Sequence, residues 1–138
     1  MGNMTHMIVT KRIEFDAAHY LPNYNGKCKN LHGHRFRLEV SVKGFVVPNT
    51  GMVMDFKNLK EKMKKVVSML DHNVLNNIIK NPTAENIILW IWEKLVLSEH
   101  LLCIESIRLW ETPDCYCEAR REDMEIQVFA WEHRMLNP

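Results

Sequence analysis

Two stretches of alternating apolar and polar residues, separated by a loop, constrain this chain more than any other feature. From Met7 to His19, one face carries Val9, Ile13, Phe15 and Ala17 and the other Thr10, Arg12, Glu14 and Asp16. From His32 onward, Phe36, Leu38, Val40 and Val42 face one way, against Arg35, Arg37, Glu39, Ser41 and Lys43. A period of two with one apolar face predicts half-buried strands. The residues between them, Tyr20 to Leu31, contain Pro22, Asn23, Asn25 and Gly26 and read as a loop. Two strands so joined can pair as antiparallel neighbours, with the end of the first beside the start of the second.

Pro48 to Gly51 turns the chain out of the second strand. Asp55 then has N-cap chemistry, and Phe56, Leu59, Met63, Val66, Val67 and Leu70 recur at helical spacing opposite a lysine-rich face. Thr83 starts a second helix, with Glu85 in its first turn and Ile87, Ile88, Ile91, Leu95 and Val96 as its buried stripe. Ile104 to Glu111 alternates again, and Thr112-Pro113-Asp114 turns into a fourth strand from Cys115 to about Arg120. The order β-β-α-α-β-β predicts an α+β fold: a four-stranded antiparallel sheet with both helices on one face. Alternation from Met124 to Trp131 suggests an additional C-terminal strand. No linker or repeat divides residues 1–138, so one domain is expected.

The face assignments bring three histidines together. His19 shares the face of Ile13, Phe15 and Ala17; His32 and His34 share that of Phe36 and Leu38. Residues at i and i+2 on one strand face are roughly 7 Å apart, so two imidazoles can reach one ion. His19 would supply a third from the neighbouring strand. Three neutral nitrogens leave an open position, the pattern of a catalytic zinc site. Gly33, between two of the ligands, allows close approach of a substrate.

Six other residues carry chemistry with less specificity. Cys28, in the loop before His32, could act as a base if a nearby metal lowers its pKa, or be a small buried hydrophobe. Cys115 and Cys117 share a strand face but have no partner pair for a metal. Asp71-His72 follows the first helix; a carboxylate beside an imidazole makes a proton donor, although the dipeptide also suits an ordinary helix end. Glu111 continues the face of Ile107 and Leu109, so alternation buries it. A buried carboxylate needs an internal arginine or a ligand with two parallel N–H groups, unless the strand end is simply exposed.

Composition narrows the class. Net charge is +1, so no bulk field recruits nucleic acid or an anionic membrane. Met1 to Met7 is polar and resembles no export signal, and no segment is long and apolar enough to span a bilayer. A cytoplasmic protein is expected, with Cys28, Cys103, Cys115 and Cys117 as reduced thiols.

Six short motifs, in order over about residues 8–120, resemble the 6-pyruvoyl- and 6-carboxy-tetrahydropterin synthases. They are Phe15-Asp16-Ala17-Ala18-His19, Cys28-Lys29-Asn30-Leu31-His32-Gly33-His34, Gly51-Met52-Val53-Met54-Asp55-Phe56, Leu70-Asp71-His72, Pro82-Thr83-Ala84-Glu85-Asn86 and Trp110-Glu111-Thr112-Pro113. The resemblance implies the T-fold and a homo-oligomer, typically a hexamer of two trimers with sites between subunits. It also implies Zn2+ on His19, His32 and His34, Cys28 as catalytic thiol, and Asp71 and His72 as a proton relay. Glu111 would anchor the pterin ring, and Thr83, Ala84 and Glu85 would line its pocket, facing a neighbouring subunit's site. The Cys-x-x-x-His-Gly-His spacing, the Asp55-Phe56 pair and Asn81-Pro82-Thr83 look more like the queuosine-pathway branch. That branch implies conversion of 7,8-dihydroneopterin triphosphate to 6-carboxy-5,6,7,8-tetrahydropterin, acetaldehyde and triphosphate, with Lys27 and Arg35 as candidates for holding the triphosphate. The sister reaction, eliminating triphosphate to give 6-pyruvoyl-tetrahydropterin, shares the same ligands and base. A zinc hydrolase would want a glutamate placed as in His-Glu-x-x-His, which is missing. A non-catalytic pterin- or purine-binding module would leave Cys28, Asp71 and His72 unexplained. The chain departs from the family pattern after about Arg120.

Overall fold

The computed structural model describes residues 5–138. Strands β1 (His6–His19), β2 (His32–Phe45), β3 (Ile104–Thr112) and β4 (Cys115–Arg120) form one antiparallel sheet in the order β1-β2-β3-β4. Helices α1 (Phe56–Val67) and α2 (Ala84–Leu97) lie between β2 and β3 in sequence and cover one face of the sheet. The buried apolar residues of the sheet and both helices form a continuous cluster around Phe36, Leu38, Leu59, Met63, Ile87, Ile91, Trp92 and Leu109. No helix is long and apolar enough to cross a membrane among the described residues.

The local chemistry of each helix start is as expected. Asp55 caps α1 by accepting from the Lys57 N–H at 2.9 Å, and Thr83 caps α2 by accepting from the Asn86 N–H at 3.1 Å. Leu59, Met63, Val66 and Val67 are the buried stripe of α1. Phe56, assigned to that stripe from its spacing, is instead 54% exposed. It is the first residue of α1 and borders an open cavity beside Met7, Ile8 and Val9 of β1.

The segment from Met124 is not a strand. It forms a third helix, α3 (Glu125–Leu136), which packs against α2. Its buried and partly buried positions are Met124, Val128, Trp131 and Met135, spaced by four, three and four residues. That spacing is helical. Arg121 fixes the approach: it donates to the Ile104 carbonyl at 2.7 Å and forms a two-pronged pair with Glu132.

The face of the sheet away from α1 and α2 carries a chain of ion pairs centred on Glu39, which is only 7% exposed. Arg12 donates to it through Nε at 3.0 Å, and Trp110 through Nε1 at 3.3 Å. Burial pushes the Glu39 carboxyl up, but these hydrogen bonds and the charges of Arg12 and Arg108 hold it below the usual carboxylate range.

Candidate functional site

The register of β1 on β2 builds the site. His19 pairs directly with His32 and Ala17 with His34, so the three imidazoles emerge on one face at the joined ends of the two strands. Their ring centroids lie 4.6, 5.2 and 4.8 Å apart, and one ring nitrogen from each falls within 4.8 Å of the others. His19 is almost wholly buried.

Hydrogen bonds select the tautomers. The Nδ1 of His19 is 2.8 Å from the Pro82 carbonyl, and that of His32 is 2.7 Å from the Asn30 carbonyl. A carbonyl only accepts, so both Nδ1 atoms carry the proton and both Nε2 atoms present lone pairs. The Nε2 atoms of His19, His32 and His34 are all shielded from solvent, with no hydrogen-bond partner among the described residues. Two of these atoms are buried acceptors fixed by their tautomers, and the third converges on them from His34; leaving them unpartnered would be costly, whereas a metal cation satisfies all three when His34 also presents a lone pair.

The electrostatics agree. Burial lowers the pKa of His19, outweighing the Pro82 hydrogen bond and the pull of Glu111, and lowers that of His34, outweighing Glu111, which favours both rings in the neutral form. Neutral imidazole is the ligating form. The Oε2 of Glu111 lies 3.5 Å from the His34 Nε2. With a neutral ring this is not an ion pair; the carboxylate instead adds negative potential where a cation would sit. The cluster can hold a metal ion, with protein nitrogens filling three positions.

Glu111 is less buried than alternation implied: its side chain is 28% exposed. Trp110 pairs with Tyr116 and Thr112 with Cys115, which leaves Glu111 as the extra residue of a bulge. A bulge re-aims a side chain. Here Glu111 borders a cavity of about 260 Å³ lined also by Ala84, Glu85, Leu109, Cys115, Tyr116 and Cys117. Ala84 and Glu85 therefore share the cavity of Glu111 within one chain. Thr83 is absent from that lining, and its hydroxyl is occupied by the α2 cap. Burial and the nearby Glu85 and Glu111 push the Cys117 thiol up, so it is a protonated wall residue.

A second, more open cavity of about 500 Å³ lies around Gly33 and His34, with Asp16, Arg35 and His72 in its lining. A Cβ on Gly33 would meet only the Ala17 carbonyl, at 3.7 Å, so a side chain is sterically allowed but would occupy cavity space. Asp71 and His72 come together as expected, with His72 Nδ1 3.0 Å from Asp71 Oδ2. The Asp16 N–H donates to Asp71 Oδ1 at 2.9 Å; this bond and that from His72 hold the Asp71 carboxyl below its usual range. His72 has a left-handed backbone, φ 60, held by donation of its own N–H to the Asp16 carbonyl at 2.6 Å.

Two sequence-named residues sit differently. Cys28 lies half-exposed on a 3-10 turn (Lys27–Lys29), outside the histidine cluster and both cavity linings. Arg35 is committed to carboxylates, donating to both Asp16 oxygens at 3.1 and 3.2 Å, with Glu14 also close. These are surface pairs, and the side chain stays largely exposed in the lining of the open cavity. Sequence reasoning missed Pro82 and Asn30, which act through backbone carbonyls and so leave no side-chain signal.

Comparisons with known proteins agree with this geometry. Residues 8–122 match the family model described as 6-pyruvoyl tetrahydropterin synthase. The 6-carboxy-5,6,7,8-tetrahydropterin synthase of Haemophilus influenzae is 36% identical over 136 aligned residues, covering 80% of this chain and 96% of that protein. The dihydroneopterin monophosphate aldolase of Pyrococcus furiosus is 49% identical over 84 residues, covering 61% of this chain and 70% of that protein. The solved 6-pyruvoyl tetrahydropterin synthase of Caenorhabditis elegans superimposes with a TM-score of 0.78 at 27% identity, covering 87% of this chain and 99% of that one. With its sheet, helices and histidine cluster in the matched region, the chain belongs to the 6-pyruvoyl tetrahydropterin synthase family.

Proposed function

We propose that this chain is a zinc-dependent lyase that converts 7,8-dihydroneopterin triphosphate to 6-carboxy-5,6,7,8-tetrahydropterin, acetaldehyde and triphosphate, in the queuosine branch of the family. The observation that carries the reading is the set of three buried, unpartnered Nε2 atoms beside two cavities. The name of the Haemophilus influenzae relative supports the reaction.

His19, His32 and His34 would hold the zinc, with Pro82 and Asn30 fixing two ring orientations. When bound, zinc supplies Lewis acidity toward the side-chain hydroxyls of the substrate. Glu111 accepts from the pterin 2-amino group and N3–H, in the cavity shared with Ala84 and Glu85, and Thr83 positions that segment through its cap. His72 presents Nε2 for proton exchange, its Nδ1–H held by Asp71. Cys28, on the turn that leads into His32, serves as the base. Assembly is expected because β1 and β4 are open edges of the sheet. Copies joined edge to edge would close a ring, consistent with a homohexamer of two trimers. Residues 1–138 would act as one cytoplasmic domain.

One observation favours a second reading: the Pyrococcus furiosus relative, 49% identical, is named an aldolase of dihydroneopterin monophosphate. Mass spectrometry of the products separates the two. The proposed reaction gives 6-carboxy-tetrahydropterin and acetaldehyde from the triphosphate. Turnover of the monophosphate alone would assign the aldolase activity, and 6-pyruvoyl-tetrahydropterin would assign the sister elimination.

A further inference from the structure

Helix α3 lies beyond the residues that match the family model, which end at 122. Its inner face is fully used: Val128 and Trp131 are buried and Glu132 pairs with Arg121. Its outer side carries a stripe of exposed apolar residues. Ile126 is 89%, Phe129 70% and Leu136 67% exposed, and exposed His133 stacks on Phe129 at a centroid distance of 6.1 Å. These four positions are spaced three, four and three residues apart, the a/d spacing of a helix that pairs with another helix. Isolated exposed apolar residues are ordinary, but a complete seam on a firmly docked helix is not.

We propose that α3 joins two copies of this chain as an antiparallel helix pair through Ile126, Phe129, His133 and Leu136. The spacing reads the same in both directions. Reversing a second α3 places its Leu136 on Ile126 and its His133 on Phe129, so every seam position meets another. Charge favours the same arrangement. The start of α3 carries Glu122, Asp123 and Glu125, and its last turn carries His133 and Arg134. Antiparallel pairing puts each acidic end beside the other copy's basic end and opposes the helix dipoles, whereas parallel pairing would set acid against acid. A groove of about 500 Å³ beside Ile126 and Phe129, lined also by Arg121, Glu125 and Glu132, receives the second copy's Leu136. The acidic border disfavours an anionic lipid surface. This contact is separate from the sheet edges and independent of the catalytic reading.

The test is the mass of the full-length protein by multi-angle light scattering over a concentration series, beside Phe129→Glu. The substitution is on an exposed position, and far-UV circular dichroism checks that the fold is kept. The wild type should have the higher mass, because Phe129→Glu removes the α3 contact and leaves the sheet-edge assembly in place. Equal masses at every concentration would overturn the proposal. Orientation is read by oxidative cross-linking. Phe129→Cys/His133→Cys should form a covalent dimer, and Ile126→Cys should not, because antiparallel pairing separates the two copies of that residue by about 15 Å. Cross-linking of Ile126→Cys alone would overturn the antiparallel arrangement. Binding of the wild type, but not Phe129→Glu, to phosphatidylcholine vesicles with no change in protein mass would assign the seam to lipid and refute the proposal.

Discussion

Substituting Glu111 by Gln keeps the shape of the side chain and removes its charge, at a position that touches both the metal cluster and the proposed pterin cavity. In a fully buried setting, removing one side of a charged, two-pronged contact costs about 2–5 kcal/mol of binding. Glu111 keeps 28% of its side-chain exposure, so water offsets part of that cost. The expected loss is about 2 kcal/mol, or roughly thirtyfold in Kd. The position 3.5 Å from the His34 Nε2 adds a second consequence. Losing the carboxylate weakens the attraction for a cation, by about ten- to a hundredfold if it behaves as an outer-shell partner. Calorimetric titration with a dihydropterin must therefore be run at saturating zinc, with metal content measured separately. Glu85→Gln is the informative companion, because Glu85 lines the same cavity without an assigned ring contact. Unchanged pterin affinity in Glu111→Gln, or a larger loss in Glu85→Gln, would refute the assignment of Glu111 as the anchor.

Three further outcomes are expected. His32→Ala should lose nearly all bound zinc by metal analysis while keeping the helical signal, since His32 is a partly exposed strand-end residue with no role in the core; full occupancy would remove it from the ligand set. Cys28→Ala should keep zinc and fold but lose turnover, and retained activity would leave the reaction without its proposed base. Glu39→Gln should cost about 1–2 kcal/mol of stability at neutral pH, the lower part of the range for charged hydrogen bonds because Arg12 is largely exposed. Because the folded pKa of Glu39 is depressed, its contribution is present above its ordinary value of 4.5 and fades as pH falls through the folded value. Urea melts at pH 7 and in acid should therefore show a gap between the two proteins that closes on acidification.

The parts of the fold legible in the sequence were those where the apolar pattern had one period and one buried face. Parity alone put His32 and His34 on one face of their strand and His19 on the apolar face of the other; bringing them together also needed the two strands to pair as antiparallel neighbours, which they do. Parity put Glu111 on the face of Leu109, where its carboxylate does meet His34, but it could not show the register shift between Trp110 and Thr112 or the 28% exposure the side chain keeps. The misread C-terminal segment has a related cause. Met124, Ile126 and Val128 alternate, yet Met124, Val128, Trp131 and Met135 also fit a helical stripe. Packing on α2 and the Arg121–Glu132 pair accompany the helical outcome. The pairs of Arg35 with Asp16 and Glu14 come from neighbours across the ladder, which alternation along one strand does not name. The carbonyls of Pro82 and Asn30 were beyond reach for a different reason: a backbone acceptor is the same atom whatever the residue.

The most direct measurement is acetaldehyde release from 7,8-dihydroneopterin triphosphate by metal-stripped protein, before and after one equivalent of zinc per chain. Release should be absent at first, return with zinc in step with formation of 6-carboxy-tetrahydropterin and triphosphate, and stay absent in His32→Ala. Zinc-loaded, folded protein that binds the pterin yet releases no acetaldehyde, or release that does not depend on metal, would contradict the assignment of the three-histidine site to this reaction.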